Sequence, residues 1–204
     1  MNALVFPSIR PLAFSLAAGL SVASCSATPA SSGAKLPVSG SSPVELLSPL
    51  PDGARFTYRV TSSGDGRSRT VEIDAHQNPD GSVDLESGAR KETLRVAESG
   101  VTTLDGRTLL RPPLEAGSSW DAGRGRKARL DAVNLDVVVP AGTYTGCVRV
   151  ISEDPPPKAS RVTSTYCPNI GRVVFETDDG ATVGKRHVAR FELVSVGRAP
   201  GRAP

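Results

Sequence analysis

Three cysteines, two histidines and a scatter of carboxylates are the side chains of this 204-residue sequence with chemistry beyond packing. Cys25 stands alone near the N-terminus, while Cys147 and Cys167 stand close together in the last third. None of them has a partner at Cys-X-X-Cys spacing, which argues against a redox-active dithiol. His76 and His187 lie in separate segments, with no cysteine or second histidine at zinc-ligand spacing, so no metal site is expected. Asp178-Asp179-Gly180 sets two carboxylates side by side. No calcium loop surrounds them, and a turn between the last two strands explains the run. Glu72, Asp74, Asp84 and Glu86 alternate with apolar residues, as carboxylates on the polar face of strands do. Scattered carboxylates alone do not make a glycosidase. Gly123-Arg124-Gly125-Arg126 lacks the Lys-Ser/Thr of a phosphate loop, and no Gly-X-Ser-X-Gly elbow occurs. The expectation is a protein without catalytic residues, cofactor or metal, and so not an enzyme.

The surroundings of Cys25 give it a different role. Arg10 precedes a mostly apolar run from Pro11 to Ala23. That run is too short to cross the hydrocarbon of a bilayer, which takes about 20 residues of helix. A basic flank, a short apolar run and small residues after it form the pattern of a secretory signal peptide. Val22-Ala23-Ser24-Cys25 resembles the bacterial lipobox, an aliphatic residue and two small ones before a cysteine. The resemblance implies that residues 1–24 are a lipoprotein signal peptide and that Cys25 is the lipidated, palmitate-bearing residue. Acyl chains contribute ~0.8 kcal/mol per buried CH₂, so two or three chains fix a protein to its membrane. The alternative is an ordinary signal peptide cut near Ala27 or Ala30. Ser26 is not the Asp associated with inner-membrane retention, so the resemblance implies an outer-membrane protein facing the periplasm.

Residues 25–45 then read as the lipidated cysteine and a flexible tether. The run from Ser26 to Pro43 is mostly Ser, Ala, Gly, Pro and Thr, and such a segment lacks the apolar surface to order itself. As a coil of ~18 residues it reaches about 25 Å. At the other end, residues 197–204 repeat Gly-Arg-Ala-Pro and read as a disordered tail. A β-rich domain over 46–196 lies between. Setting aside Arg10, Lys35, Arg198 and Arg202 from the 24 basic residues, and Glu45 from the 21 acidic ones, leaves 20 of each sign in that domain. A neutral domain has no overall electrostatic footprint for nucleic acid. The local run Arg124, Arg126, Lys127, Arg129 reads as a solvated strand edge, with a basic partner site as the alternative.

What must position these residues is a chain with a hydrophobic period of two. Phe56, Tyr58 and Val60 alternate with polar residues, as do Val71, Ile73 and Ala75, then Val83 and Leu85, Leu94 and Val96, and Val133 to Val139. Turn residues separate the runs, among them Asn78-Pro79-Asp80-Gly81, Ser99-Gly100 and Asp105-Gly106. No helical stripe is sustained. The predicted fold is all-β: a single antiparallel, strongly twisted meander sheet or half-barrel of about ten strands. With Cys25 spent on lipid in an oxidising compartment, Cys147 and Cys167 read as a disulfide. They flank the Pro-rich run Glu153 to Lys158 symmetrically, as the two arms of a hairpin. If Cys147 faces Cys167, then Val148 faces Tyr166 and Val150 faces Ser164.

Three further segments carry a family resemblance: Leu109 to Trp120 (LLRPPLEAGSSW), Val139 to Cys147 (VPAGTYTGC) and Tyr166 to Val173 (YCPNIGRV). Together with Leu50 to Tyr58 (LPDGARFTY), where Phe56 takes the place of a Trp, they resemble TapB-like bacterial exported and lipoprotein domains. That family implies a β-rich domain of unknown function and offers no catalytic residue to transfer.

The function expected from these observations is that of a bacterial cell-envelope lipoprotein. It would be joined to the membrane by its anchor and act by binding an envelope protein or the cell wall. The alternative is a carrier or sensor of an apolar, lipid-like ligand inside a curved sheet, lined by Val60, Ile73, Leu85, Leu94, Trp120 and Val137.

Overall fold

The computed structural model describes residues 42–63, 66–156, 160–182 and 185–199. Cys25, the signal peptide, most of the tether and the end of the tail lie outside the described residues. The elements in chain order are α1 (Pro43–Leu47), β1 (Ala54–Ser62), β2 (Ser68–Gln77), β3 (Val83–Ser87), β4 (Arg90–Ala97), β5 (Gly100–Thr103) and β6 (Thr108–Leu110). Then follow β7 (Ser119–Gly123), β8 (Arg126–Val139), β9 (Gly142–Glu153), β10 (Arg161–Cys167), β11 (Gly171–Thr182) and β12 (Lys185–Arg198).

All twelve strands form one antiparallel sheet in which each pairs with its sequence neighbours. The exceptions are β6 and β7, which do not pair with each other, and the two ends of the domain. β1 pairs with β12 from Ala54↔Arg198 to Ser62↔Ala189, so the spatial order runs β6 back to β1, then β12 back to β7. The sheet curls into a nearly closed barrel. This is the expected all-β meander, with two more strands than the hydrophobic runs suggested.

The barrel closes at the β6–β7 seam without a strand ladder. Trp120 on β7 is buried and its indole N–H donates to the Thr108 carbonyl on β6 at 3.1 Å. Arg124 pairs with Asp105 at 2.9 Å across the same gap. Gly123 (φ +83°) lies directly against the Gly106 carbonyl, where a Cβ would collide with backbone. A side chain there would force the two edges apart.

Two apolar clusters fill the interior. One gathers Leu94, Val101, Leu110, Trp120, Leu130 and Tyr166 around α1; the other gathers Phe56, Tyr58, Val83, Val173, Leu193 and the disulfide. The helix is short but well begun. Ser42 accepts from the Glu45 N–H at 3.2 Å, Glu45 accepts from the Ser42 N–H at 2.8 Å, and Pro43 stands at the first turn. Val44 and Leu47 are 0% and 4% exposed, and Asn169 donates its N–H to the Leu46 carbonyl at 2.9 Å. Ser42 to Glu45 therefore belong to the folded domain rather than to the tether. The same holds at the other end, where β12 runs to Arg198 and the Ala199 N–H donates to the Gly53 carbonyl at 2.7 Å.

The Asp178-Asp179-Gly180 run does not separate the last two strands. It is a bulge inside β11, where the register against β12 shifts between Asp178 and Ala181. Gly180 takes φ +68° and donates its N–H to Asp178 Oδ1 at 3.2 Å. The glycine satisfies a kinked strand instead of a hairpin turn.

Trp120→Phe should keep most of the buried ring while leaving the Thr108 carbonyl without its donor. The expected cost is about 1–3 kcal/mol, and Trp120→Ala should cost about 3–5 kcal/mol. Urea titration followed by circular dichroism measures both, since the chain's only tryptophan is the one replaced. Equal midpoints for wild type and the Phe variant would show that the seam does not rely on the indole hydrogen bond.

Candidate functional site

Antiparallel order fixes the two ends of the barrel. Strand β1 starts, and β10 and β12 finish, at the end where α1 sits. The turns β5–β6 and β7–β8 and the β9–β10 connection lie at the opposite end. Between them the lumen holds two small cavities and opens at α1 into a groove.

The first cavity, of about 40 Å³, is largely apolar; Phe56, Tyr58, Ile73, Leu85, Leu94 and Tyr166 line it. The second, of about 90 Å³, lies toward the opposite end, lined by Arg107, Arg126 and Arg172 with Thr108, Ser152 and Ser164. Glu92, Leu109, Tyr166 and Arg172 border both. The groove, of about 460 Å³, runs along Pro49, Pro51, Gln77 and Val196. It shares Leu50, Phe56 and Ile170 with the first cavity.

Register explains which side chains point inward. In the β9–β10 pair Tyr166 faces Val148 and Ser164 faces Val150, as the disulfide register predicts. Cys147 and Cys167 are joined, with Cα atoms 4.2 Å apart and no exposed surface. One strand further, Tyr166 faces Arg172 across β10–β11. Tyr166 is a core residue, so its cross-strand partner Arg172 shares its inward face. The parity argument that placed Val148 and Val150 would have found this arginine if extended over the Pro168 to Gly171 turn.

The three arginines are held differently. Arg107 pairs with Glu92 and, at 3.2 Å, with Asp105. Burial alone would lower its pKa, but those two carboxylates outweigh burial and hold it above the ordinary value. Arg126 is 17% exposed, with Nε 2.8 Å from Asp154 Oδ1 and Nη2 donating to Ser160 at 3.2 Å. The contact to Asp154 is too bent for a hydrogen bond, so the buried Nε lacks an aligned acceptor. Arg172 lays its guanidinium over the Phe175 ring at 4.1 Å, and no carboxylate pairs with it among the described residues. Its carbonyl accepts from the Tyr58 hydroxyl at 2.7 Å. Burial raises the Tyr58 pKa, so the phenol stays a neutral donor.

Of the residues expected to line an apolar ligand site, Ile73, Leu85 and Leu94 border the first cavity. Val60 is buried in β1 and Val137 packs half-buried against the second cluster; neither borders either interior cavity. Trp120 is committed to the seam. The basic run is not a free patch. Besides Arg124 and Arg126, Lys127 pairs with Asp121 at 3.2 Å and Arg129 with Asp131 at 2.8 Å. Arg126 turns into the lumen rather than toward solvent, because the β7–β8 turn at Arg124-Gly125 resets the alternation.

The carboxylates on the polar strand face are ion-paired. Asp74 takes both Nε and Nη2 of Arg55 at 2.7 Å, which lowers its pKa. Asp84 is held by Lys91 at 2.6 Å and by the Thr93 hydroxyl at 2.6 Å, which bring its pKa down from 3.8 to about 2. Asp74 and Asp84 therefore stay ionised at neutral pH. No cluster suited to a metal ion occurs among the described residues.

The fold and its lumen thus define a twelve-stranded meander barrel with a helix set in one mouth. No family model matches the chain, and no curated protein matches it. It is similar to a solved structure from Bacteroides fragilis, described as an exported protein with a YmcC-like fold. The identity is 13% and the TM-score 0.46, over 75% of this chain and 99% of that one. A Parabacteroides distasonis structure described as a lipoprotein is similar at 10% identity and a TM-score of 0.41, over 74% and 98% of the two chains. Likeness at this level carries no argument about function.

Because the folded pKa of Asp84 lies below its ordinary value, its ion pair stabilises fully above pH 3.8 and is lost as pH falls toward about 2. Asp84→Asn should therefore be less stable than wild type at neutral pH and lose less stability across that acid window. Urea midpoints at stepped pH test this; parallel curves for the two proteins would refute it.

Proposed function

We propose that this chain is a bacterial cell-envelope lipoprotein whose barrel acts by binding rather than by catalysis. The division of the three cysteines carries the reading. Cys147 and Cys167 are spent on a buried bridge, a bond that persists in oxidising compartments. Cys25 ends a lipobox-like run behind a secretory leader. The TapB-like motifs are in keeping with this reading. The absence of Asp after Cys25 favours an outer-membrane, periplasm-facing address, with an envelope protein or the cell wall as the partner.

The outer face of the strands supports a water-exposed barrel. Arg55 bridges Glu72 and Asp74, and Arg59 and Arg190 share Glu192. A membrane-spanning barrel carries an apolar band in that place.

A second reading, a carrier of an apolar ligand, is favoured by one observation: the groove at α1 shares a wall with the apolar cavity. Ligand sites usually enclose about 300–1,000 Å³, so the two lumen cavities, of about 40 and 90 Å³, would have to widen to take a lipid chain.

Expression of the full chain in a bacterial host tests the anchor. Wild type should incorporate labelled palmitate and sediment with membranes, and Cys25→Ser should do neither. An unlabelled, soluble wild type would overturn the lipoprotein reading. A lipid-sized adduct in native mass spectra would replace surface binding by the carrier reading.

A further inference from the structure

We infer that the polar part of the lumen is a binding site for an oxyanion group, a carboxylate or a phosphate, with Arg172 as its principal contact. The inference concerns the barrel interior and stands whether or not Cys25 is lipidated.

The argument begins with charge. Arg107, Arg126 and Arg172 line one cavity of about 90 Å³, and Glu92 is the only carboxylate among the residues bordering it. Arg107 is neutralised by Glu92 and Asp105, and Arg126 by Asp154. Arg172 is left with the Phe175 ring face and the neutral Tyr58 hydroxyl beside it, and no counter-ion among the described residues. A cation withdrawn from water toward an apolar interior costs free energy unless an anion meets it. The guanidinium is planar and rigid, and it presents paired N–H donors that match the two oxygens of a carboxylate or phosphate edge. Phe175 beneath it fixes the plane, as a preorganised donor requires.

The rest of the wall fits the same chemistry. Thr108, Ser152 and Ser164 border the cavity, and hydroxyls donate to whichever oxygens the guanidinium leaves free. Arg126 borders the same cavity, but its Nε is already against Asp154 at 2.8 Å, so it adds positive potential to the wall rather than a free donor. The space accommodates an ion or a small headgroup, being well above the ~10–15 Å³ that one water needs. On its other side Arg172 borders the apolar cavity with Leu85, Leu94 and Tyr166. A short apolar substituent on the oxyanion would extend there.

Calorimetry on the full chain, purified in detergent at low ionic strength, tests the site with two probes, inorganic phosphate and hexanoate. At least one should bind with one-to-one stoichiometry. Arg172→Gln should weaken it about tenfold or more, Arg172→Lys should weaken it less, and the exposed control Arg95→Gln should leave it unchanged. Phosphate without hexanoate would identify a phosphate group as the ligand chemistry, and the reverse a small organic acid. Either result supports the site. If Arg172→Gln does not fold, ¹⁵N-arginine spectra of the wild type decide. The Nε–Hε signal absent from Arg172→Lys must then shift as probe is added. No binding of either probe up to about 10 mM, or equal affinity in a folded Arg172→Gln, would overturn the inference. So would an Arg172 signal that the probes leave unmoved.

Discussion

The barrel closes through a few contacts at one seam, the Trp120 indole hydrogen bond chief among them. A twelve-stranded sheet that stopped at β6 and β7 would present two rows of unpaired backbone groups, the feature that makes sheet edges stick to other chains. Here the two edges face each other instead. They are too short and too splayed to form a ladder, β6 having three residues and β7 five. Trp120 spans the gap by giving its N–H to the Thr108 carbonyl, and its ring fills the space behind. The Arg124–Asp105 pair and the backbone contact at Gly123 hold the rim. Everything inside follows from that closure, including the small cavities, the inward arginines and the fit of α1. With the seam open, the lumen would be a wet half-pipe and Arg172 an ordinary surface cation.

The inside and outside of the wall solve the charge problem in opposite ways. On the outer face carboxylates and guanidinium groups alternate across neighbouring strands, so that Arg55, Glu72 and Asp74, or Arg59, Arg190 and Glu192, neutralise one another in water. Pairs of that kind contribute little each. Inside, Arg107 and Arg126 are clamped by carboxylates, Glu92 on β4, Asp105 in a turn and Asp154 beyond β9, whereas Arg172 leans on an aromatic ring. That difference in partner separates a structural arginine from one available to a ligand.

How far the sequence could be read is clear from particular residues. The strands announced themselves by alternation, and the disulfide pairing placed Val148 opposite Tyr166 and Val150 opposite Ser164. Arg172 lies inside the Tyr166 to Val173 motif, but the register set by Cys147 and Cys167 covers only β9 and β10 and does not say which way it faces. Arg126 was placed on the wrong face because a turn at Arg124-Gly125 resets parity, and bulges in β8 and β11 break it again. Helix α1 is a single turn, too short to show a period. Its capping Ser42 sits in a Ser-, Gly- and Pro-rich run whose composition argues for disorder. What identifies it is the Ser42–Glu45 capping box together with the burial of Val44 and Leu47 in the core, a tertiary fact. The seam role of Trp120 likewise needs both edges in view.

Every strand pairing but one is between neighbours in the chain. The exception joins β1 to β12, first to last, and brings the Ala199 N–H against the Gly53 carbonyl. Contacts between distant segments are slow to form, because a long loop must close before they reward it. The pairings thus fall into two local meanders, β1 to β6 and β7 to β12, joined by one long-range pairing. The two ends of the domain lie side by side, while the natural break in the sheet falls at mid-chain. A circular permutant beginning at β7, with Ala199 linked to Ser42 so that α1 is kept, would therefore make every strand pairing one between chain neighbours. The first-to-last contact would then be the β6–β7 seam, which is made by side chains and needs no ladder.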